Sequence, residues 1–148
     1  MTERTNSLYA DIDLAQIKEA QTFFEMAQIA IGVLEKMTGA VAQVCGPIST
    51  GGLGSVEANL QKFDETIVKL KNKGVNIFDQ MPFEWPMQKL KEKPDFKPDD
   101  LLLEFYLPIF ESGYIKMMYF MNDWQSSYGA RWERAQAKRL GIEIIDLE

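Results

Sequence analysis

Apolar side chains recur with the period of an α-helix in four stretches of the chain. Each stretch has a helix-bounding residue at one end: a capping pair such as Asp13 with Gln16, a proline, or a glycine. Pro108, inside the third stretch, should kink or shorten that helix. The predicted helices cover residues 13–37, 55–73, 98–110 and 129–140.

Short runs of small, β-branched and aromatic residues lie between these helices and predict strands. A segment with four prolines and mixed charges, residues 79–100, predicts a long loop with one helical turn near residues 87–91. The predicted strands cover residues 40–46, 75–78, 114–121 and 142–145.

The alternation of strands and helices after the first helix predicts a parallel sheet with helices on both faces. We therefore expect an α/β fold: a three-layer, doubly wound sheet of four to five strands, flavodoxin-like or Rossmann-like, with an extra N-terminal helix. One domain of 148 residues is expected, with residues 1–38 as a helical extension and residues 40–148 as the α/β core. Ligands of such folds bind beyond the carboxyl ends of the strands.

Composition narrows the function classes. The formal net charge is −6 without a long run of lysine or arginine, so neither nucleic acid nor a membrane surface is an expected partner. The chain has no histidine, which excludes a Ser–His–Asp triad, a Cys–His dyad and a histidine base within it. Any catalysis must use carboxylates, hydroxyls, Lys, Arg, Tyr or the single cysteine, Cys45.

We expect the protein to be cytoplasmic. A single cysteine cannot form an intrachain disulfide, and no apolar run approaches the ~20 residues that span a bilayer. The polar, acidic N-terminus does not resemble a signal peptide.

The loop after the first predicted strand, residues 45–52, reads CGPISTGG. Its glycines let the backbone approach a ligand closely, and Ser49 and Thr50 add hydroxyl groups. The helix that follows directs its positive end toward the loop, which favours an anion. The loop has neither Walker nor GxGxxG spacing, so a plain strand-to-helix turn explains it equally well.

The last predicted helix carries one carboxylate, Glu133, on a stripe of otherwise small or apolar residues. Near a helix start, the dipole favours the ionised form, which is the state that a carboxylate nucleophile requires. A glutamate at the helix edge, paired with a basic residue, is the alternative interpretation. The stripe contains Ala130, Glu133, Ala137 and Leu140.

Other polar and aromatic residues follow the predicted strands. Asp79, Glu84 and Asp123 are candidate acids, bases or acceptors for ribose hydroxyls, although loop carboxylates are usually solvated. Trp124 and Tyr128 are candidate platforms for a nucleobase, although aromatic residues in an α/β fold more often belong to the core or to a subunit contact. Cys45 is interpreted as a small core residue.

Two blocks of the sequence resemble the nucleoside 2-deoxyribosyltransferase superfamily, and within it the deoxynucleoside 5′-monophosphate N-glycosidase branch. VCGPISTGG, residues 44–52, is similar to the first strand and phosphate-side loop of that superfamily. WQSSYGARWE, residues 124–133, is similar to its W-x-x-S-x-G-A-x-x-E signature. Asn59 and Phe63 match an N-x-x-x-F pattern, and the similar blocks span residues 41–146.

The resemblance implies hydrolysis or transfer at the N-glycosidic bond of a (deoxy)nucleoside or its 5′-monophosphate, without a metal or organic cofactor. Glu133 would be the nucleophile that forms a glycosyl-enzyme ester, and Ser127 would bind a 5′-phosphate. Asp123 is a second candidate catalytic residue. A homo-oligomer is expected, because pockets of the superfamily are often completed by a neighbouring subunit. The candidate substrate-binding residues are Gly46, Pro47, Ile48, Ser49, Thr50, Gly51, Gly52, Asp79, Trp124, Ser127 and Gly129.

The chain departs from the family at several positions. Gln43 occupies the place of a usual tyrosine near the nucleophile, and Ser112-Gly113 replaces a Cys/Ala-Asp pair. A usual aspartate before the third strand has only Glu104 and Glu111 nearby. These departures favour a second hypothesis, a catalytically degenerate nucleotide-binding or interaction module. A third is a structural subunit whose N-terminal helix docks a partner.

Overall fold

A computed structural model describes residues 8–148 as a mixed α/β protein. Residues 1–7, which begin the segment expected not to be a signal peptide, lie outside the described residues. Within residues 8–148, no helix has the length and apolar character needed to cross a membrane. The elements are α1 (Asp11–Glu19), α2 (Phe23–Glu35), β1 (Val41–Cys45), α3 (Val56–Asn72), α4 (Met81–Leu90), α5 (Pro98–Leu101), a π-helical segment (Leu102–Tyr106), α6 (Leu107–Glu111), β2 (Ile115–Phe120), a 3₁₀ turn (Trp124–Ser126), α7 (Tyr128–Leu140) and β3 (Glu143–Asp146).

The sheet has three parallel strands in the order β1-β2-β3, which confirms the predicted parallel pairing. All five residues of β1 are buried, as expected for a strand covered on both faces. The predicted strand at 75–78 is reduced to one parallel bridge between Ala42 and Ile77. The Ala42 N–H donates to the Asn76 carbonyl (2.9 Å), and the Phe78 N–H donates to the Ala42 carbonyl (2.8 Å). These bonds lie on the edge of β1 opposite β2.

The expectation of one helix over residues 13–37 is wrong. The chain forms α1 and α2, because Thr22 adopts an extended conformation and its hydroxyl accepts the Glu25 N–H (3.1 Å) as an N-cap. Asp13 is the third residue of α1 rather than its cap, and its carboxylate accepts the Ala10 N–H (2.9 Å). Leu14 and Phe24, which belong to the apolar pattern that predicted one long helix, are 37% and 55% exposed.

The prediction of a long loop over residues 79–100 is also wrong, since α4 occupies its first half. Pro82 lies in the first turn of α4. N–H groups in a first turn form no intrahelical hydrogen bond, so proline is tolerated there. Pro86 is inside the helix, yet the helix continues to Leu90 because Phe83 and Met87 are fully buried. Tertiary burial therefore outweighs the proline signal.

The predicted helix over residues 98–110 is present as a continuous helical stretch to Glu111. Its middle is π-helical, and the N–H of Leu107 donates to the Leu102 carbonyl, five residues back. Pro108 lacks an N–H, so a regular helix would leave one carbonyl of this stretch unpaired. The kink expected at Pro108 thus takes the form of a local change of helical pitch.

The chain divides into two compact units. The first consists of the chain up to Met37 together with Asp79–Ile109, and Phe83 packs on Phe105 within it (ring centroids 5.2 Å apart). The second, Thr38–Phe78 with Phe110–Glu148, contains the sheet, α3 and α7. The expected division at residue 38 of a single domain stays a prediction.

Candidate functional site

Helix α7 presents Glu133 to the interior of the second unit. The helix begins after Ser127, whose hydroxyl accepts the Ala130 N–H (3.1 Å), and ends at Gly141 in the left-handed conformation. Ala130 and Ala137 are fully buried and Glu133 is 7% exposed, which confirms the inward stripe. The site therefore contains a buried carboxylate one and a half turns into a helix.

Cys45, the last residue of β1, contacts this carboxylate. Its Sγ donates to Glu133 Oε2 at 3.4 Å. Burial raises the pKa of the Cys45 thiol well above its usual range, and the nearby charge of Glu133 raises it further. The thiol is therefore protonated at neutral pH and acts as a donor. Sequence reasoning assigned Cys45 to the core and missed this contact, which no local pattern reveals.

Asn59 organises the loop after β1. It is 3% exposed, and its Nδ2 donates to the carbonyls of Ile48 (3.0 Å) and Gly51 (3.1 Å). Its Oδ1 accepts the Leu53 N–H (2.8 Å). The side chain that matched the N-x-x-x-F pattern thus holds both ends of the loop.

The loop is also bonded to the segment that leads into α7. The Gly52 N–H donates to Ser126 Oγ (2.8 Å), and the Tyr128 N–H donates to Thr50 Oγ1 (3.0 Å). Ser126 Oγ in turn donates to the Asp123 carbonyl (2.7 Å). The structure therefore brings together the two sequence blocks, residues 44–52 and 124–133, on which the family resemblance depends.

Two glycines make this close approach feasible. Gly51 and Gly52 have φ of +71° and +61°. A Cβ on Gly51 would overlap the Ser126 carbonyl, and one on Gly52 would overlap the Asn59 side chain. The glycines are thus explained by packing between protein segments, which is part of what the plain-turn interpretation proposed.

The first turn of α7 has few N–H groups left for a ligand. The Tyr128 N–H donates to Thr50, and those of Ala130 and Arg131 donate to Ser127. Among the described residues, the fourth N–H of this turn belongs to Gly129. An anion at the helix start would therefore bind chiefly the Gly129 N–H and the Ser127 hydroxyl proton.

Asp123 forms an ion pair with Lys62 of α3, with Oδ2 and Nζ 3.0 Å apart. Both side chains are partly exposed, at 28% and 36%, so the pair contributes little to stability. The pair ties α3 to the turn after β2. The catalytic role of Asp123 stays a prediction.

Trp124 is half-buried beside Arg134. The guanidinium carbon lies 4.2 Å from the Trp124 ring centroid and 5.0 Å from that of Phe120. Two hydrogen bonds to Asp146, of 2.7 and 3.0 Å, hold the guanidinium in this position. A nucleobase that stacks on Trp124 would have to use the ring face that Arg134 leaves open.

Asp79 belongs to the first unit rather than to the unit that contains Glu133. It is fully buried, and its Oδ1 accepts the Met81 N–H (3.0 Å) at the start of α4. Its carbonyl accepts the Tyr9 hydroxyl. These contacts explain Asp79 as a helix-starting residue, and its role toward a ribose stays a prediction.

The first unit contains a buried polar cluster around Glu84, a residue that the sequence placed in a loop as a candidate acid or base and that lies buried on α4. Gln80 Nε2 donates to Glu84 Oε1 and to Tyr106 Oη, both at 2.8 Å, and Tyr106 Oη donates to Glu84 Oε1 at 3.2 Å. Burial raises the pKa of Glu84 to about 6, although both hydrogen bonds lower it. The predicted loop hid the four-residue spacing that brings Gln80 and Glu84 together at the start of α4.

No family model, curated protein or solved structure matches the chain. Among residues 8–148, no group of three or more His, Cys, Asp or Glu side chains is arranged to hold a metal ion.

Replacing Gly51 by alanine should destabilise the protein more than replacing Gly54. Both residues have positive φ, +71° and +89°, so each variant carries a left-handed strain of about 1–2 kcal/mol. Only the Gly51 Cβ meets the Ser126 backbone, whereas that of Gly54 meets nothing within 4 Å. Urea unfolding of the two variants measures the difference, and equal losses would show that the loop does not pack on Ser126 as described.

The Glu84→Gln variant should remove a pH dependence of stability. The folded-state pKa, about 6, lies above the ordinary value of 4.5. Glu84 therefore contributes stability below pH 4.5 that is lost as the pH rises through about 6. The shift corresponds to about 2 kcal/mol. Unfolding free energies measured across this range should fall with rising pH by that much more in the wild type than in the variant. Parallel curves would refute the burial of an ionisable Glu84.

Proposed function

We propose that the protein hydrolyses or transfers the N-glycosidic bond of a nucleoside or nucleoside 5′-monophosphate, with Glu133 as the nucleophile. The observation that carries the proposal is the Glu133 carboxylate, buried on α7 and bonded to Cys45 at the carboxyl end of β1. The loop of residues 46–52 is bonded to the start of the same helix. A reactive carboxylate and an anion-binding helix start thus lie in one unit.

The chemistry follows that of retaining glycosidases. A Glu133 oxygen attacks the anomeric carbon C1′, and the bond from C1′ to the base nitrogen breaks with its electron pair leaving on the base. The base takes up one proton, and the water that later hydrolyses the glycosyl ester releases one. A second base in place of water gives transfer. The Cys45 thiol orients the carboxylate through Oε2.

The connectivity of the sheet supports this location. The parallel bridge at Ile77 lies beside β1 on the edge opposite β2. We infer a doubly wound sheet in which residues 76–78 act as a fourth strand. The chain then leaves β1 and β2 toward opposite sides, and in such folds ligands bind where these connections diverge. The loops that diverge are residues 46–55 and 121–127.

A 5′-phosphate is the anion that best fits the start of α7. Gly129 and the capping residue Ser127 lie in the first turn of α7, where the helix dipole adds a partial positive charge. Ser127 is 3% exposed, and its hydroxyl accepts the Ala130 N–H. The same hydroxyl would donate its proton to the phosphate. This assigns Ser127 to substrate binding as well as to helix capping.

A nucleotide-binding module without turnover is the second candidate. The observation that favours it is the Lys62–Asp123 ion pair, since a contact with Lys62 gives the second candidate catalytic residue a structural role. Such a module would keep the anion site and bind nucleotides without releasing base.

The test compares the wild type with Glu133→Gln on a panel of ribo- and deoxyribonucleoside 5′-monophosphates and the matching nucleosides. Glutamine keeps the size of the side chain and an oxygen that accepts from Cys45, but it cannot form the ester. Free base is quantified by chromatography, and kcat/KM should fall at least ~10³-fold. Glu143→Gln, at an exposed residue of β3, is the matched control and should keep wild-type activity.

Base release that survives in Glu133→Gln would refute the nucleophile. Nucleotide binding by the wild type, seen as a rise in the melting temperature without base release, would favour the second candidate. An unchanged melting temperature of Glu133→Gln without ligand would show that the lost activity is not a folding defect.

A further inference from the structure

Gln43, in the middle of β1, is a buried amide without a partner. Its side chain is fully buried, and neither Nε2 nor Oε1 has a hydrogen-bond partner among the described residues. It is the one residue of this part of the chain in which both side-chain polar atoms are buried and unpartnered. An amide left in this state destabilises a fold, so a group that completes it is to be expected.

The strand places Gln43 on the same face as Cys45. Alternate residues of a strand share a face, and two residues span about 6.5 Å. Because Cys45 Sγ donates to Glu133, this is the face that α7 covers. One helical turn after Glu133, α7 contributes Ala137, which is fully buried and small. The Gln43 side chain and the Glu133 carboxylate are therefore on the same side of β1.

The amide offers one donor and one acceptor to a ligand that reaches Glu133. A sugar hydroxyl is complementary to this pair, since it accepts from Nε2 and donates to Oε1. An anion would be repelled by Oε1, and an apolar group would leave both atoms unpaired.

The stereochemistry of the proposed reaction selects the hydroxyl. In a β-nucleoside the base and the 2′-hydroxyl lie on opposite faces of the sugar ring. A nucleophile that displaces the base in line approaches from the face that carries the 2′-hydroxyl. A side chain on this face of the sugar would therefore meet the 2′ position before it meets the base.

We propose that the Gln43 amide binds the 2′-hydroxyl of a ribosyl substrate, so that the site prefers ribonucleosides or ribonucleoside 5′-monophosphates over their deoxy counterparts. The inference rests on the proposed function and adds the sugar to it. Hydrogen bonds to this hydroxyl strengthen as the transition state forms, so the preference should be larger in kcat/KM than in binding.

The experiment measures two ratios of ribo- to deoxyribonucleoside 5′-monophosphate. The first is the ratio of kcat/KM in the wild type and in Gln43→Met, which keeps the side-chain length without either polar atom. The second is the ratio of affinities, measured by calorimetry in the Glu133→Gln variant and in the double variant Glu133→Gln/Gln43→Met. Both proteins lack the proposed nucleophile, so binding is measured without turnover. Gln43→Leu is a second apolar variant, and Gln61→Leu, at an exposed glutamine of α3, is the matched control.

A wild-type preference for the ribo form that falls about tenfold or more in Gln43→Met and Gln43→Leu, and not in Gln61→Leu, is the expected result. The apolar variants should also melt at a higher temperature without ligand, because they remove two unpaired polar atoms. A merely structural amide would give the opposite melting shift and leave the ratios unchanged.

The outcomes separate the two proposals. Base release with ratios that Gln43 does not influence would overturn the role of Gln43, leaving buried water as the partner of the amide, while the function stands. Ribo-selective binding that depends on Gln43 without base release would overturn the function and keep the subsite. Absence of both binding and release would overturn both.

Discussion

The second unit depends on one constraint, the burial of the Glu133 carboxylate between a helix and the end of a strand. A buried charge destabilises a fold unless donors and dipoles compensate it. The Cys45 thiol supplies a donor, and the start of α7 supplies a partial positive charge less than two turns away. Because β1 ends at this thiol and α7 starts after Ser127, the loop after β1 and the segment before α7 are held in place. Asn59 holds the loop through a hydrogen bond to the Ile48 carbonyl, and Thr50 joins the loop to Tyr128.

This arrangement leaves few groups for chemistry. The Thr50 hydroxyl accepts the Tyr128 N–H, and the Gly52 N–H donates to Ser126. These two groups of the loop after β1 therefore bind the segment 126–128. Specificity must then come from the groups that the fold does not use. On the proposed function, such groups among the described residues include the Gly129 N–H, the hydroxyl protons of Ser127 and Thr50, and the Gln43 amide.

The sequence predicted α3, α7 and the three strands well, because their boundaries are local signals. Ser55 caps the start of α3 and Gly141 ends α7, and each acts on the adjacent turn of its helix. The long first helix and the loop at 79–100 were predicted wrongly, because Thr22 caps a new helix within an unbroken apolar pattern and Pro82 is tolerated in a first turn. Contacts such as Cys45 with Glu133 join residues 88 positions apart, so no local pattern could reveal them. The position of Glu133 on an inward stripe was predicted because helical spacing alone determines it.

Gln43 shows why sequence and structure must be combined at this site. In the sequence it is only a departure from a usual tyrosine, and a departure alone favours loss of activity. In the structure it is an amide with two unpaired polar atoms in the most buried strand, two residues before Cys45, which contacts Glu133. A position with no function would be more stable with an apolar side chain, since strand interiors of parallel sheets are apolar. Local violations of such rules concentrate at functional sites. On the proposed function, the glutamine is a change of substrate contact rather than a loss of catalysis.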